Sequence, residues 1–194
     1  IGIGIPLDHN AHTHKAWLAD YDMDQYPGEI LTDGVGALCE TIMQAEQQVS
    51  LICIGPVPNI AAALARQPEI CQKARFVGMH GSIRRGYLDA PKPMREFNVK
   101  THALACRAVF EAPWEKVITP LDTCGNVVLD GARFVEIQHA AERGGPSSPA
   151  GICLDNHIGW FDAVREWPML QHLDSTKQSS ILYDLVAVYL GFDD

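Results

Sequence analysis

Apolar residues fall along this chain in two rhythms, short continuous runs and longer stretches with helical spacing, and the two alternate. IGIGIP (1–6) reads as a short strand closed by Pro6. Residues 7–29 are polar, aromatic and irregular, and predict a long loop of the kind that often carries function. Val35, Leu38, Cys39, Ile42 and Met43 then recur at helical spacing, with Asp33 placed as N-cap. SLICIG (50–55) is a continuous apolar run ended by Gly55-Pro56, as in a strand covered on both faces. NIAAALARQPEICQKA predicts an alanine-rich helix that starts on Asn59 and is interrupted at Pro68.

The alternation continues to the C-terminus. RFVGMHG (75–81) and KVITPL (116–121) predict buried strands, and SIRRGYLDAPKPMR (82–95) a loop rich in Pro and Gly. Helices are expected over 101–112, 131–143 and 155–167, with GGPSSPAG (144–151) as a flexible connector. YDLVAVYL (183–190) fits a helix or a buried strand, since its period does not separate the two. Strands alternating with helices predict an α/β fold, an open and mainly parallel sheet with helices on both faces, in one domain over 1–194. Ligands of such sheets sit beyond the carboxyl ends of the strands. That rule directs attention to GPVPN, to the segment from HGSIRRGY to EFN, and to LDTCGN.

Composition narrows the classes. The 194 residues are 47% hydrophobic and 20% charged, and the formal net charge is −9. This balance speaks against nucleic acid or an anionic membrane as partner. No apolar run approaches the ~18 residues that span a bilayer. The six cysteines form no CxxC pair and mostly lie in apolar segments, which predicts buried thiols in a reducing, cytoplasmic setting. The chain opens on IGIGIP without a methionine or a basic leader, and reads as a sequence entered partway.

Three places invite chemistry. Glu96 and Asn98 flank Phe97, and in an extended segment that spacing sets a carboxylate and an amide on one side, a natural pair for vicinal sugar hydroxyls. The Gly55-Pro56 turn leaves carbonyls near Ile54 free, and free carbonyls suit hard cations. Asp184 is the one charge within ILYDLVAVYL, where an unpaired carboxylate is costly, so it either caps a helix or faces a site that needs negative charge. Alone, each has an ordinary alternative: a solvated loop pair, a tight turn, a helix cap. His9, His12 and His14 could chelate a transition metal, and SIRRGY could grip a phosphate, though a covering loop and rim arginines serve as well.

Taken together, LICIGPVPNIAAALARQPEICQKARFVGMHGSI, EFNVKTHALACRAVF, KVITPLDTC and YDLVAVYL resemble the inosine–uridine-preferring nucleoside hydrolases, in the family's order and over about residues 30–190. The resemblance implies hydrolysis of the N-glycosidic bond of ribonucleosides to base and ribose, with Ca²⁺ holding water and the ribose hydroxyls. It assigns Asp184 and the Ile54 backbone carbonyl to the metal, Glu96 and Asn98 to the ribose hydroxyls, and Met79 to the ribose pocket. Tyr183 stands at the leaving-group position, where the family commonly has histidine, and His80 is a second candidate for that role. The family's aspartate-rich D-x-D-x-G-x-D-D loop has no counterpart, so the domain is expected to be N-terminally incomplete, lacking the first strand or strands, with weak metal binding and poor hydrolysis. The alternative is a non-catalytic protein of the same fold with a binding or structural role. A small-molecule nucleoside is the expected partner, and association into a homo-oligomer is the family's tendency.

Overall fold

The computed structural model describes residues 1–6, 13–14, 16–18, 20–167, 170–171 and 173–192. The chain divides into two compact units. One comprises Ile1–Pro6, Pro27–Asn126 and Tyr183–Asp194, the other Leu7–Tyr26 and Val127–Leu182.

The first unit is built on three parallel strands, β1 (Val49–Cys53), β2 (Ala74–Gly78) and β3 (Lys116–Ile118), in the order β1-β2-β3. Val49 pairs with Ala74 and Cys53 with Gly78; Phe76 pairs with Lys116 and Gly78 with Ile118. Successive side chains of β2 alternate between faces. Ala74 and Phe76 enter a core with Leu51, Cys53, Ile60, Ala63, Val109 and Trp114. That core is covered by α1 (Gly34–Gln44), α2 (Pro58–Arg66) and α4 (Ala103–Glu111). Val77 and the following Met79 point the other way, to Leu121 and Cys124 of α5 (Leu121–Cys124) and Ala187 of α8 (Leu185–Phe192). Helices therefore lie on both faces, as the alternation predicts. A Cβ on Gly191 would collide with the Ile52 side chain, so glycine lets α8 close on the sheet. The ambiguous YDLVAVYL segment is thus a helix.

Several boundaries differ from the sequence expectation. IGIGIP is not a sheet strand. Gly2 makes a single parallel bridge with Leu31, and the lead-in to α1 satisfies the Ile3 amide (to Leu31 O, 2.8 Å) and the Ile3 carbonyl (from Gly34 N, 3.0 Å). Ile1, Ile3 and Ile5 stay exposed. Asn59 does not cap α2: Val57 holds the cap position, Pro58 opens the helix, and Asn59 Oδ1 accepts from the Ile5 amide at 2.6 Å. The helix expected over 101–112 is α4, and a separate short helix, α3 (Phe97–Thr101), precedes it across His102. Pro68 begins a 3₁₀ turn over Pro68–Gln72.

The second unit holds α6 (Gly131–Gly144) and α7 (Pro149–Val164). The connector is shorter than its composition suggests, because Ser148 Oγ caps α7 at the Gly151 amide (3.1 Å). Gly145 adopts φ 76, a conformation that favours glycine. Phe161 is buried against His157 and Trp160 and serves the packing of this unit.

Phe76 sits at the centre of the larger core, stacked on Trp114 at 5.6 Å and fully buried. Phe76→Ala is expected to cost about 3–5 kcal/mol in denaturant titration. Leu104→Ala, on the exposed side of α4, is expected to change stability by under about 0.5 kcal/mol.

Candidate functional site

The exits of β1 and β2 lie side by side. The Met79 amide donates to Cys53 O at 3.0 Å, and His80 Nε2 meets Gly55 O at 3.2 Å. From the β3 side, the Thr119 amide donates to Gly78 O and the Leu121 amide to Gly81 O, both at 2.9 Å. Gly81 turns the chain away with φ 85, which leaves its own amide facing inward.

That amide meets Glu96. Glu96 Oε2 accepts from Gly81 N (3.0 Å) and Val99 N (3.1 Å), and Oε1 accepts from Asn98 N (2.7 Å). Glu96 is thus the N-cap of α3, and its charge sits where the helix terminus favours it. Asn98 Nδ2 donates to Met79 O at 2.9 Å and lies 3.5 Å from Met79 Sδ. Glu96, Asn98 and Met79 are all buried. The expected grouping of this trio is present, with a corrected geometry: Glu96 is extended (φ −66, ψ 143) and Asn98 lies in the first helical turn. The cap, not a two-residue pleat, brings them together. Asn98 Oδ1 accepts no hydrogen bond from the described residues.

Asp184 immediately precedes α8, and its carbonyl accepts from Val188 N at 3.1 Å. Its half-buried carboxyl is held above the usual range, first by burial and then by the negative charge of Glu96. Asp184 and Glu96 therefore share one field. Tyr183 packs edge-on against Tyr87 with ring centroids 5.8 Å apart. Burial, with a smaller contribution from Tyr87, pushes its phenol up, away from any role as a ready proton donor at neutral pH. Ile54 follows β1 with its side chain exposed, and its carbonyl receives no hydrogen bond from the described residues.

His80 is almost fully buried between Phe76 (5.7 Å) and Phe110 (5.9 Å). Its Nε2 faces a carbonyl and so carries the proton, while its Nδ1 has no partner. Burial lowers its pKa to about 4, against the weaker opposing pull of Gly55 O. A neutral imidazole pointing into the core does not supply a proton to a leaving group near pH 7.

Two residues absent from the sequence expectation complete the surroundings. Tyr87 Oη accepts from Phe97 N at 2.8 Å, beside the Glu96 cap. Asp122 accepts from the amides of Ile83 (2.8 Å), Arg84 (2.8 Å) and Arg85 (3.2 Å), which hold its carboxyl below the usual range. Those amides are the ones a phosphate grip at SIRRGY would use, so a backbone grip is closed. The position of Asp122 just past a strand end could have signalled it; nothing in the spacing marks Tyr87. His14 meets Asn156 at 3.1 Å, and His9 and His12 lie outside the described residues.

Calcium takes roughly six to eight oxygens. Among the described residues no group of three or more His, Cys, Asp or Glu is placed to hold a metal ion. Glu96 has three amides on its carboxylate, which leaves Asp184 and the Ile54 carbonyl. These residues alone do not fit a Ca²⁺ site.

Comparison with known proteins adds family and fold. The model of the inosine-uridine preferring nucleoside hydrolase family matches residues 6–193. The non-specific ribonucleoside hydrolase RihC of Salmonella newport is 32% identical over 127 residues, 64% of this chain and 40% of RihC. Among solved structures, the purine-preferring ribonucleoside hydrolase of Gardnerella vaginalis aligns with TM-score 0.69 at 21% identity, over 91% of this chain and 52% of its own. The inosine-uridine preferring nucleoside hydrolase of Bacillus anthracis aligns with TM-score 0.59 at 23% identity, over 92% and 56%. The type III effector XopQ, solved with adenosine diphosphate ribose, aligns with TM-score 0.61 at 16% identity, over 98% and 61%. The chain thus spans two fifths of RihC and between half and two thirds of these structures.

The depressed pKa of His80 has a definite sign. Its neutral form contributes stability above the ordinary histidine value of 6.5, and that contribution is lost as pH falls toward about 4. Chemical denaturation between pH 7 and 4 is expected to show a loss of up to about 3 kcal/mol that His80→Phe removes. Equal slopes in the two proteins would contradict the burial argument.

Proposed function

The chain belongs to the inosine–uridine preferring nucleoside hydrolase family, and from that premise we propose that it recognises the ribose of a ribonucleoside and acts on the N-glycosidic bond, yielding base and ribose. The observation that carries this reading is the Glu96–Asn98–Met79 arrangement on the β2 exit. Its two polar side chains are fixed by backbone partners, and Asn98 Oδ1 remains open to a sugar hydroxyl. A carboxylate offers about four acceptor positions, so three amides leave Glu96 about one. Breaking the bond from C1′ to the base builds positive charge on the ribosyl ring, as in other glycosyl transfers. The fixed negative charge of Glu96, beside Asp184, favours that charge. Met79 forms the apolar wall below the sugar, and Asp184 and the Ile54 carbonyl form its rim.

A second reading is a protein that binds the riboside without turning it over. It is favoured by the state of the proton donors: His80 is held neutral, Tyr183 is pushed up, and neither is set to protonate a departing base at neutral pH. Slow hydrolysis is therefore expected from this chain. All six cysteines are free thiols, which fits the cytoplasmic setting proposed from the sequence, and association into a homo-oligomer is the accompanying expectation.

The test joins binding to turnover. The chain is incubated with inosine, uridine and p-nitrophenyl riboside, with and without Ca²⁺, while base or nitrophenolate release and the heats of ribose and Ca²⁺ binding are measured. Ribose binding weakened at least about tenfold by Glu96→Gln and by Asn98→Ala is expected. Binding with no release supports the second reading. No ribose heat at millimolar sugar, or unchanged affinity in both variants, overturns the sugar site.

A further inference from the structure

Tyr87 stands between the Met79 cluster, the Tyr183 ring and the start of α3. Its ring packs, with that of Tyr183, against Val77, Met79, Leu121, Cys124 and Ala187. The two tyrosine rings lie nearly at right angles, with centroids 5.8 Å apart. The Tyr87 hydroxyl oxygen accepts the Phe97 amide at 2.8 Å. The first three amides of α3 are thus divided between two side chains: Phe97 N goes to Tyr87, while Asn98 N and Val99 N go to Glu96. Phenol and carboxylate crown one helix end, and the negative charge of Glu96 reaches the phenol.

A tightly shaped loop presents this tyrosine. The Gly86 amide donates to Ala90 O (2.9 Å) and the Ala90 amide to Tyr87 O (3.2 Å), which closes a turn around Tyr87–Asp89. Leu88 and Asp89 within it adopt φ 55 and 58, a region that non-glycine residues keep only where their surroundings enforce it. Arg85 pairs with Asp89 at 3.1 Å across the turn. A Cβ on Gly86 would meet the Lys92 carbonyl at 2.8 Å, so the loop folds back closely on itself. Phe97 is exposed, and water serves a single amide at an exposed helix start. The loop is therefore more than the capping of α3 requires.

Tyr87 also has a hydrogen to give. Its oxygen is an acceptor toward Phe97 N, and no acceptor for its own O–H is present among the described residues. Burial, opposed by the Phe97 amide and reinforced by Glu96, holds the phenol above its ordinary range, so it stays protonated across neutral pH. Glu96 and Asn98 Oδ1 offer acceptors to a sugar. A hydroxyl that gives its hydrogen to either keeps two lone pairs of its own, which call for a donor. Resting on the ribose reading above, we infer that Tyr87 is a further sugar-binding residue, whose hydroxyl donates its hydrogen to one of the two ribose hydroxyl oxygens that Glu96 and Asn98 hold. The Tyr183 ring, packed across it, keeps the phenol in place.

Calorimetry on the full chain compares ribose with 2-deoxyribose, 3-deoxyribose and 5-deoxyribose, in the unaltered protein and in Tyr87→Phe, which keeps the ring and removes only the hydroxyl. Tyr87→Phe is expected to weaken ribose about fivefold, the worth of one neutral hydrogen bond. The same loss is expected for 5-deoxyribose, which keeps the neighbouring hydroxyls. Of 2-deoxyribose and 3-deoxyribose, at least one lacks the partner oxygen and is expected to bind both proteins alike. Tyr189→Phe, exposed on α8, leaves every affinity where it was. Ribose bound equally by the unaltered protein and Tyr87→Phe overturns this inference and leaves the sugar site standing. An equal loss across all the sugars also overturns it, since the hydroxyl would then act only through the helix start it caps. If the unaltered protein binds no ribose, the sugar site itself fails and this inference with it.

Discussion

A single carboxylate organises the exit of the sheet. Glu96 gathers the amides of Gly81, Asn98 and Val99, groups that come from the end of β2 and from the start of α3. Each of those amides would otherwise be a donor at a strand or helix terminus without a partner, and a buried unpaired donor costs on the order of 1–3 kcal/mol. The same contacts set the turn at Gly81, place Asn98 against the Met79 carbonyl and bring Phe97 N to Tyr87. Removing the charge would release the strand exit, the helix start and the Asn98 side chain together.

Burial then decides the protonation states around it. His80 and Asp184 are both desolvated, with opposite results: the imidazole loses its proton and the carboxyl tends to keep one. In both cases burial disfavours the charged form, and at Asp184 the neighbouring Glu96 adds to it. Glu96, by contrast, holds three amide donors on its oxygens.

Much of this was legible in the sequence, for identifiable reasons. The runs LICI, FVGM and VI carry no charged or polar side chain, and in the fold they lie in or at the ends of parallel strands with helices on both sides. Asp33 was readable as a cap because a short acceptor before an apolar helical stretch has few other uses, and its Oδ1 does accept from Gly36 N. IGIGIP misled because alternation with glycine imitates a strand while giving no side chains to pack on one face. Asn59 misled because Pro58 takes the first helical position, and the asparagine is then recruited by Ile5. The Glu96–Asn98 pair was visible, but its geometry was not, since the partner that sets it, Gly81, is fifteen residues away. Asp122 and Tyr87 act through backbone amides far along the chain, and such pairings leave no local pattern.

The accounting of lone pairs on Glu96 also bears on what the site can hold. About four acceptor positions, less three amides, leave one, which can take a sugar hydroxyl or contribute to a cation but not both. Asn98 Oδ1 supplies a second acceptor, so two neighbouring hydroxyls can each find a partner without any metal. A hard cation would need several more oxygens, and the described residues offer only Asp184 and the Ile54 carbonyl. Burial keeps the His80 imidazole neutral and makes the Tyr183 phenol a weaker acid, so neither gives up a proton readily near neutral pH.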